Sequence, residues 1–294
     1  MNIKLNRRRL LKAASIVSLG AVTVSQLKRS AQAQKTNKPR LLTQADKYAA
    51  QVDAGLTYFQ EQATKQLPLV EALEAAIASG DLEAAKTAYV ESRPPYEQIE
   101  VLALNFEATD TDIDARPYAF DNGELDKAFK GFHRIEALIY RDGDLKTALP
   151  YAQGLVASVK TLMTDLKARE NFDSPSHFEG MIGLATEIPA KKISSEEETW
   201  SDQSLLIFQE NWKGIYSQFE PFAAVLESVD PAVLAEAKAA YEAAIATVAP
   251  YFTQGQVAAQ PYSGLNATQK GEIVNAAYRF RDSLVNAQNK LGIA

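Results

Sequence analysis

His133 and Glu136 stand three residues apart in Gly131-Phe132-His133-Arg134-Ile135-Glu136-Ala137-Leu138-Ile139-Tyr140, and the chain has only one other histidine, His177. On a helix, residues three apart face the same way, so an imidazole and a carboxylate at this spacing can reach one common atom. Leu125, Ala128, Phe129, Phe132, Ile135, Ile139 and Tyr140 recur at helical spacing around the pair and mark one apolar face, with Glu136 in its middle and His133 on its flank. An ionised carboxylate inside a bundle is costly when left alone, so it must be protonated, paired with a base or bound to a cation. Helix bundles hold metal with pairs of this kind, further acids coming from neighbouring helices. The plainer alternative is a mutual hydrogen bond, and spacing by itself does not decide between the two.

Three acidic segments can supply those further oxygens: Glu97 and Glu100, Asp112 and Asp114, and the triplet Glu196-Glu197-Glu198. Acids one turn apart on a helix, or clustered in a loop, are otherwise solvated. On an ideal helix Glu100 lies near the apolar border and Glu97 points farther away, although Pro94 and Pro95 leave that phase open. His177, at a helix start, reads as structural or solvent-exposed. The chain has no cysteine, which excludes disulfides, thiolate ligands and a cysteine nucleophile. Two histidines also exclude a three-histidine zinc site within one chain. Any metal site here is built of oxygen and imidazole.

The elements that must position these groups are helices. A long helix is expected from Thr43 to about Ser79, with Pro68 predicting a kink. A second starts after Gly80, pauses at Pro94-Pro95 and runs to about Phe106. An irregular acidic stretch from Thr109 to Asn122 leads into the helix carrying His133 and Glu136. Further helices are expected over 145–168, 176–188, 203–227, 231–252 and 268–291, with a charged loop over 191–201. No run of alternating β-branched residues bounded by turn dipeptides is present, so the fold class is all-α. Helices of this length with short loops suit two packed antiparallel bundles with a cleft between them, the halves being about 43–142 and 143–294.

Residues 1–33 read as a cleavable twin-arginine-type signal: Arg7-Arg8-Arg9-Leu10-Leu11-Lys12, a weak apolar run from Ala13 to Val24, and Ala31-Gln32-Ala33 as the cleavage site. Residues 34–42 form a leader. Removing the signal takes away Lys4, Arg7, Arg8, Arg9, Lys12, Lys28 and Arg29 but no acid, leaving 37 acids against 24 bases and a formal charge of −13. That balance disfavours nucleic acid or anionic lipid as partner and suits a cation-binding surface, though acids also keep an exported protein dispersed. The expected location is the periplasm, free of the membrane after processing.

Four segments together carry a more specific signal: Arg93-Pro94-Pro95-Tyr96-Glu97-Gln98-Ile99-Glu100, Asp112-Ile113-Asp114-Ala115-Arg116-Pro117, Gly131-Phe132-His133-Arg134-Ile135-Glu136 and Lys191-Lys192-Ile193-Ser194-Ser195-Glu196-Glu197. In order and spacing the chain resembles the imelysin-like family, in its branch of periplasmic iron-uptake components and in the short form without a cupredoxin domain. The resemblance implies two helical bundles with metal in the cleft, bound by His133 and Glu136 together with Glu97, Asp114 and Glu196. It prefers Glu97 where helix phase prefers Glu100. It also implies iron as the metal, with zinc, copper or manganese as alternatives, and a membrane iron permease as partner. Ile207 and Lys213 stand where relatives tend to carry acids, so that helix is not expected to contribute. The imelysin name also brings a rival reading as a metallopeptidase, against which stands the absence of an HExxH helix. A third reading is a polysaccharide- or protein-binding module using Tyr96, Tyr118, Tyr140 and Trp200.

Overall fold

Val52, Leu56, Phe59, Ala63, Val70, Leu73 and Ile77 return every three to seven positions, and that stripe is buried along helix α1 (Ala49–Ser79). The computed structural model describes residues 46–194 and 197–293. The expected signal segment, the leader, the Thr43 cap and Glu196 therefore lie outside the described residues. Pro68 is accommodated within α1, which ends at Gly80 in the left-handed conformation, φ +79°. Asp81 then caps α2 (Leu82–Ser92) by accepting the N–H groups of Glu83 and Ala84. Pro94 and Pro95 open α3 (Pro94–Ile99), where a missing N–H costs nothing, and a 3-10 turn follows over Glu100–Asn105.

The acidic stretch expected to be irregular begins instead with a helix, α4 (Glu107–Asp114). Glu107 and Asp110 sit in its first turn, where they favour the positive end of the helix dipole, and Ile113 anchors its buried face. It stops because Arg116 precedes Pro117 and is held extended, φ −86° and ψ 158°.

Leu125 is 90% exposed in a separate 3-10 turn, so the apolar face expected to begin there starts later in the chain. The break is Gly131, with φ +82°, where a Cβ would lie 2.2 Å from the Ile113 carbonyl oxygen. Only glycine fits that approach. From it rises α5 (Phe132–Glu136), which widens at once into a π-helical turn over Ala137–Asp142.

The remaining helices are α6 (Leu145–Asp165), α7 (Ser174–Ala190), α8 (Ser204–Phe219), α9 (Ala223–Val229), α10 (Pro231–Val248) and α11 (Ala267–Leu291). Pro221 falls in a 3-10 turn, Glu220–Phe222, and splits the helix expected over 203–227 into α8 and α9. α1 packs on α2 and α6, α11 on α7 and α10, and α3 on α8, around one continuous hydrophobic core. Gly214 brings α8 against the backbone of α3: a Cβ there would stand 2.3 Å from the Gln98 carbonyl oxygen. Among the described residues the only β pairing is an isolated bridge, Phe252 to Ala259, and the fold is all-α. No helix among them is long and apolar enough to cross a membrane.

Candidate metal centre

The short α5 delivers His133 and Glu136 into the interior, at 2% and 0% exposure. His133 Nδ1 lies 3.6 Å from Glu136 Oε2, and His133 Nε2 lies 3.4 Å from Asp114 Oδ1, at the end of α4. Glu136 Oε1 accepts the backbone N–H groups of Trp200 and Ser201, both at 2.8 Å. Glu136 Oε2 and His133 Nε2 are buried without a hydrogen-bond partner. Beside them, Glu198 accepts the Tyr89 hydroxyl at 3.0 Å and the Ser201 hydroxyl. His133, Glu136 and Glu198 each offer a ligand atom, and these atoms lie within 4.8 Å of one another. Buried carboxylate and imidazole atoms gathered this closely must be compensated by protons or by a cation.

Arg93 holds this interior together. Its guanidinium reaches Glu97 at 2.6 Å, Asp114 at 2.7 Å and Glu198 at 3.0 Å, and lies 4.4 Å from the centre of the Phe132 ring. A fully buried cation is tolerable only with such compensation, and the planar fork suits several carboxylates at once. Arg116 pairs with Glu197 and stands 3.8 Å from Asp114 Oδ2.

A second group adjoins the first: Glu97, Glu100 and Glu197, again with ligand atoms within 4.8 Å of one another. Lys192 reaches two of its three acids, with Nζ at 2.8 Å from Glu100 and 3.0 Å from both Glu197 and the Asn211 side-chain oxygen. The Asn211 amide donates to Glu97 Oε2 at 3.1 Å and to Glu100 Oε2 at 2.9 Å. That reach depends on the close approach of α8 to α3 at Gly214, one turn on.

These surroundings set the protonation states. Burial pulls His133 down, but the Asp114 carboxylate beside it outweighs this and carries the imidazole up to about 9. Burial and the Glu136 charge push Glu198 up to about 8, against the pull of Arg93. Burial also pushes Glu97 well above the usual carboxylate range and raises Glu100. Asp114 goes the other way: burial would raise it, yet Arg93, His133 and Arg116 hold it well below its usual value. Arg116 and Lys192 likewise hold Glu197 down against burial.

Of the residues expected as ligands, His133, Glu136 and Asp114 are brought together. Glu97 is joined to Asp114 through Arg93 and has its ligand-like neighbours in the second group. Glu196 lies outside the described residues, while Glu197 and Glu198 after it are both buried, one in each group. Asp112 pairs with Lys130 at the surface, 2.8 Å away. His177 is buried with Nδ1 at 3.0 Å from the Asp173 carbonyl, and burial lowers it to about 4, which is a structural role. On α8, Ile207 is buried in the core and Lys213 pairs with Glu210, but the same helix contributes Asn211. Arg93, Arg116, Lys192 and Asn211 were missed by sequence reasoning. The first three stand in the very segments that carried the resemblance, and a core holding this many acids demands internal cations.

The comparisons with known proteins agree with one another. The imelysin (peptidase M75) family matches residues 28–291. The protein named "Iron uptake system component EfeO" in Escherichia coli (strain K12) is 28% identical over 242 residues, covering 82% of this chain and 64% of that protein. Its namesake in Shigella boydii is 31% identical over 203 residues, covering 69% of this chain and 54% of that protein. The chain spans less than two thirds of the length of these relatives. With the family match running over most of its length and its motif residues gathered in one interior, the chain belongs to the imelysin family.

Proposed function

We propose that this protein is the metal-capturing component of an iron-uptake system, working in the periplasm after export and handing its cargo to a membrane permease. The observation that carries the reading is the buried group of His133, Glu136 and Glu198, whose ligand atoms lie within 4.8 Å of one another, with Glu136 Oε2 lacking a hydrogen-bond partner. Asp114 and Glu97 complete the proposed ligand set once Arg93 yields them, and Glu196 belongs to the same segment as Glu198. Carboxylates with a single imidazole form a mostly hard-oxygen donor set that suits iron, with manganese, zinc or copper as competitors in vitro. Iron is the cargo here, and the acid excess of the chain favours its approach.

The same burial weighs against peptide hydrolysis, because a zinc hydrolase needs an open coordination position that a peptide bond can reach. It also takes two rings from the polymer-binding reading, since Tyr96 is fully buried with its hydroxyl on Asp110 and Tyr140 bonds the Lys86 carbonyl at 3.0 Å, while Tyr118 stays exposed. Anaerobic calorimetry with Fe(II) tests the proposal. A single strong site is expected in the native chain, and a His133→Ala, Glu136→Ala double variant should lose at least about a hundredfold in affinity. An unchanged isotherm in the double variant contradicts the reading.

A further inference from the structure

A cavity of about 550 Å³ opens beside the buried groups, walled by the 3-10 turn after α3, by α4 with the segment after it, and by α7. Glu100, Asp114 and Arg116 belong both to this wall and to the interior network, whereas His133, Glu136 and Glu198 are not on the wall. Asp114 therefore faces the cavity on one side and His133, at 3.4 Å, on the other. Arg116 completes the partition. Its side chain is 10% exposed, its guanidinium bridges Glu197 and Asp114, and its Nε is buried without a hydrogen-bond partner. Glu197 and Asp114 are the carboxylates in contact with this guanidinium, with Glu100 and Tyr118 adding to its field, and a competing cation can take both contacts. Around the cavity, Glu187 pairs with Lys191 at 3.3 Å and burial raises Asp110 to about 7, so the acid excess rests on Glu107 and Glu179. An acid excess of that kind draws hydrated cations and repels anionic chelates.

We propose that this cavity is the port through which a free hydrated cation reaches the buried site, and that Arg116 is its gate, swinging off Asp114 and Glu197 as the cation arrives. The proposal rests on the reading of the chain as a metal-capture protein. It assigns the cargo to uncomplexed cations rather than to iron held in an anionic chelate.

Stopped-flow quenching of intrinsic fluorescence by Co(II) tests it, on the whole chain as purified. Gly183 lies on the cavity wall outside the proposed ligand set, and a Cβ there meets no atom within 4 Å, so Gly183→Trp places bulk in the port. Association and dissociation should both slow by about tenfold, with the dissociation constant changed by less than about threefold. Arg116→Gln should speed both rates. A Glu107→Gln, Glu179→Gln double variant should associate more slowly at low ionic strength and match the native chain at high salt. Native rates in both the Gly183→Trp and Arg116→Gln proteins, with Co(II) still bound, overturn the port and leave the capture reading standing. Absence of Co(II) and Fe(II) binding in the native chain overturns both.

Discussion

Arg93 shows how a buried acid cluster is compensated from within: one guanidinium answers Glu97, Asp114 and Glu198 at once. Replacing it with Leu leaves those carboxylates uncompensated, and the variant should lose about 3–5 kcal/mol in chemical denaturation, partly restored by Mn(II). Protonation provides a second handle. A metal must displace the proton of His133, held up to about 9, and that of Glu198, at about 8. Mn(II) affinity should therefore climb by up to about a hundredfold per pH unit below pH 8 and level off above pH 9, as calorimetry across that range would record. An affinity independent of pH would contradict the assignment. The apo protein has the opposite slope. His133 and Glu198 bind protons more tightly folded than unfolded, so their contribution is complete below their ordinary values of 6.5 and 4.5 and is lost as pH rises through about 9 and about 8. Asp114, held low, contributes above its ordinary 3.8 and is lost as pH falls below it. Apo stability should thus peak in mildly acidic buffer, measurable as a Tm that falls on going from pH 6 to pH 9.

At the scale of elements, the site depends on where short helices begin and stop. Gly131→Ala forces a Cβ into the Ile113 carbonyl and a left-handed φ onto alanine, and should cost upwards of about 2 kcal/mol by thermal denaturation. Wild-type stability in that variant would mean the junction of α4 and α5 is not held by this contact. Helix periodicity made the long elements legible, because their burial repeats at 3.6 residues. It failed where backbone contacts decide: the start of α5 at Gly131, the helix α4 within an acidic run, and the break at Pro221. His133 and Glu136 were legible from their spacing. Arg93, Arg116 and Lys192 were not, since a buried cation has no periodic signature and becomes visible only once distant acids are seen to meet, and the same holds for the Asn211 amide that bonds two of those acids.

For the whole molecule, the interior acids, the internal cations and the outer acid excess form one electrostatic design. In the proposed function, cations would be drawn in by the surface and held by oxygens that the fold has already gathered. Binding that favours the folded state stabilises it by mass action, so Mn(II) at about a hundred times its dissociation constant should add about 2.7 kcal/mol, or about 5–10 °C in Tm for a domain of this size. The most direct test is a crystal of the iron-loaded protein with anomalous data collected on both sides of the iron absorption edge. The account predicts one dominant iron peak at about 2.0–2.3 Å from a His133 nitrogen and a Glu136 oxygen, with Glu198 or Asp114 adjoining. A peak bound elsewhere, with neither His133 nor Glu136 among its ligands, would contradict it.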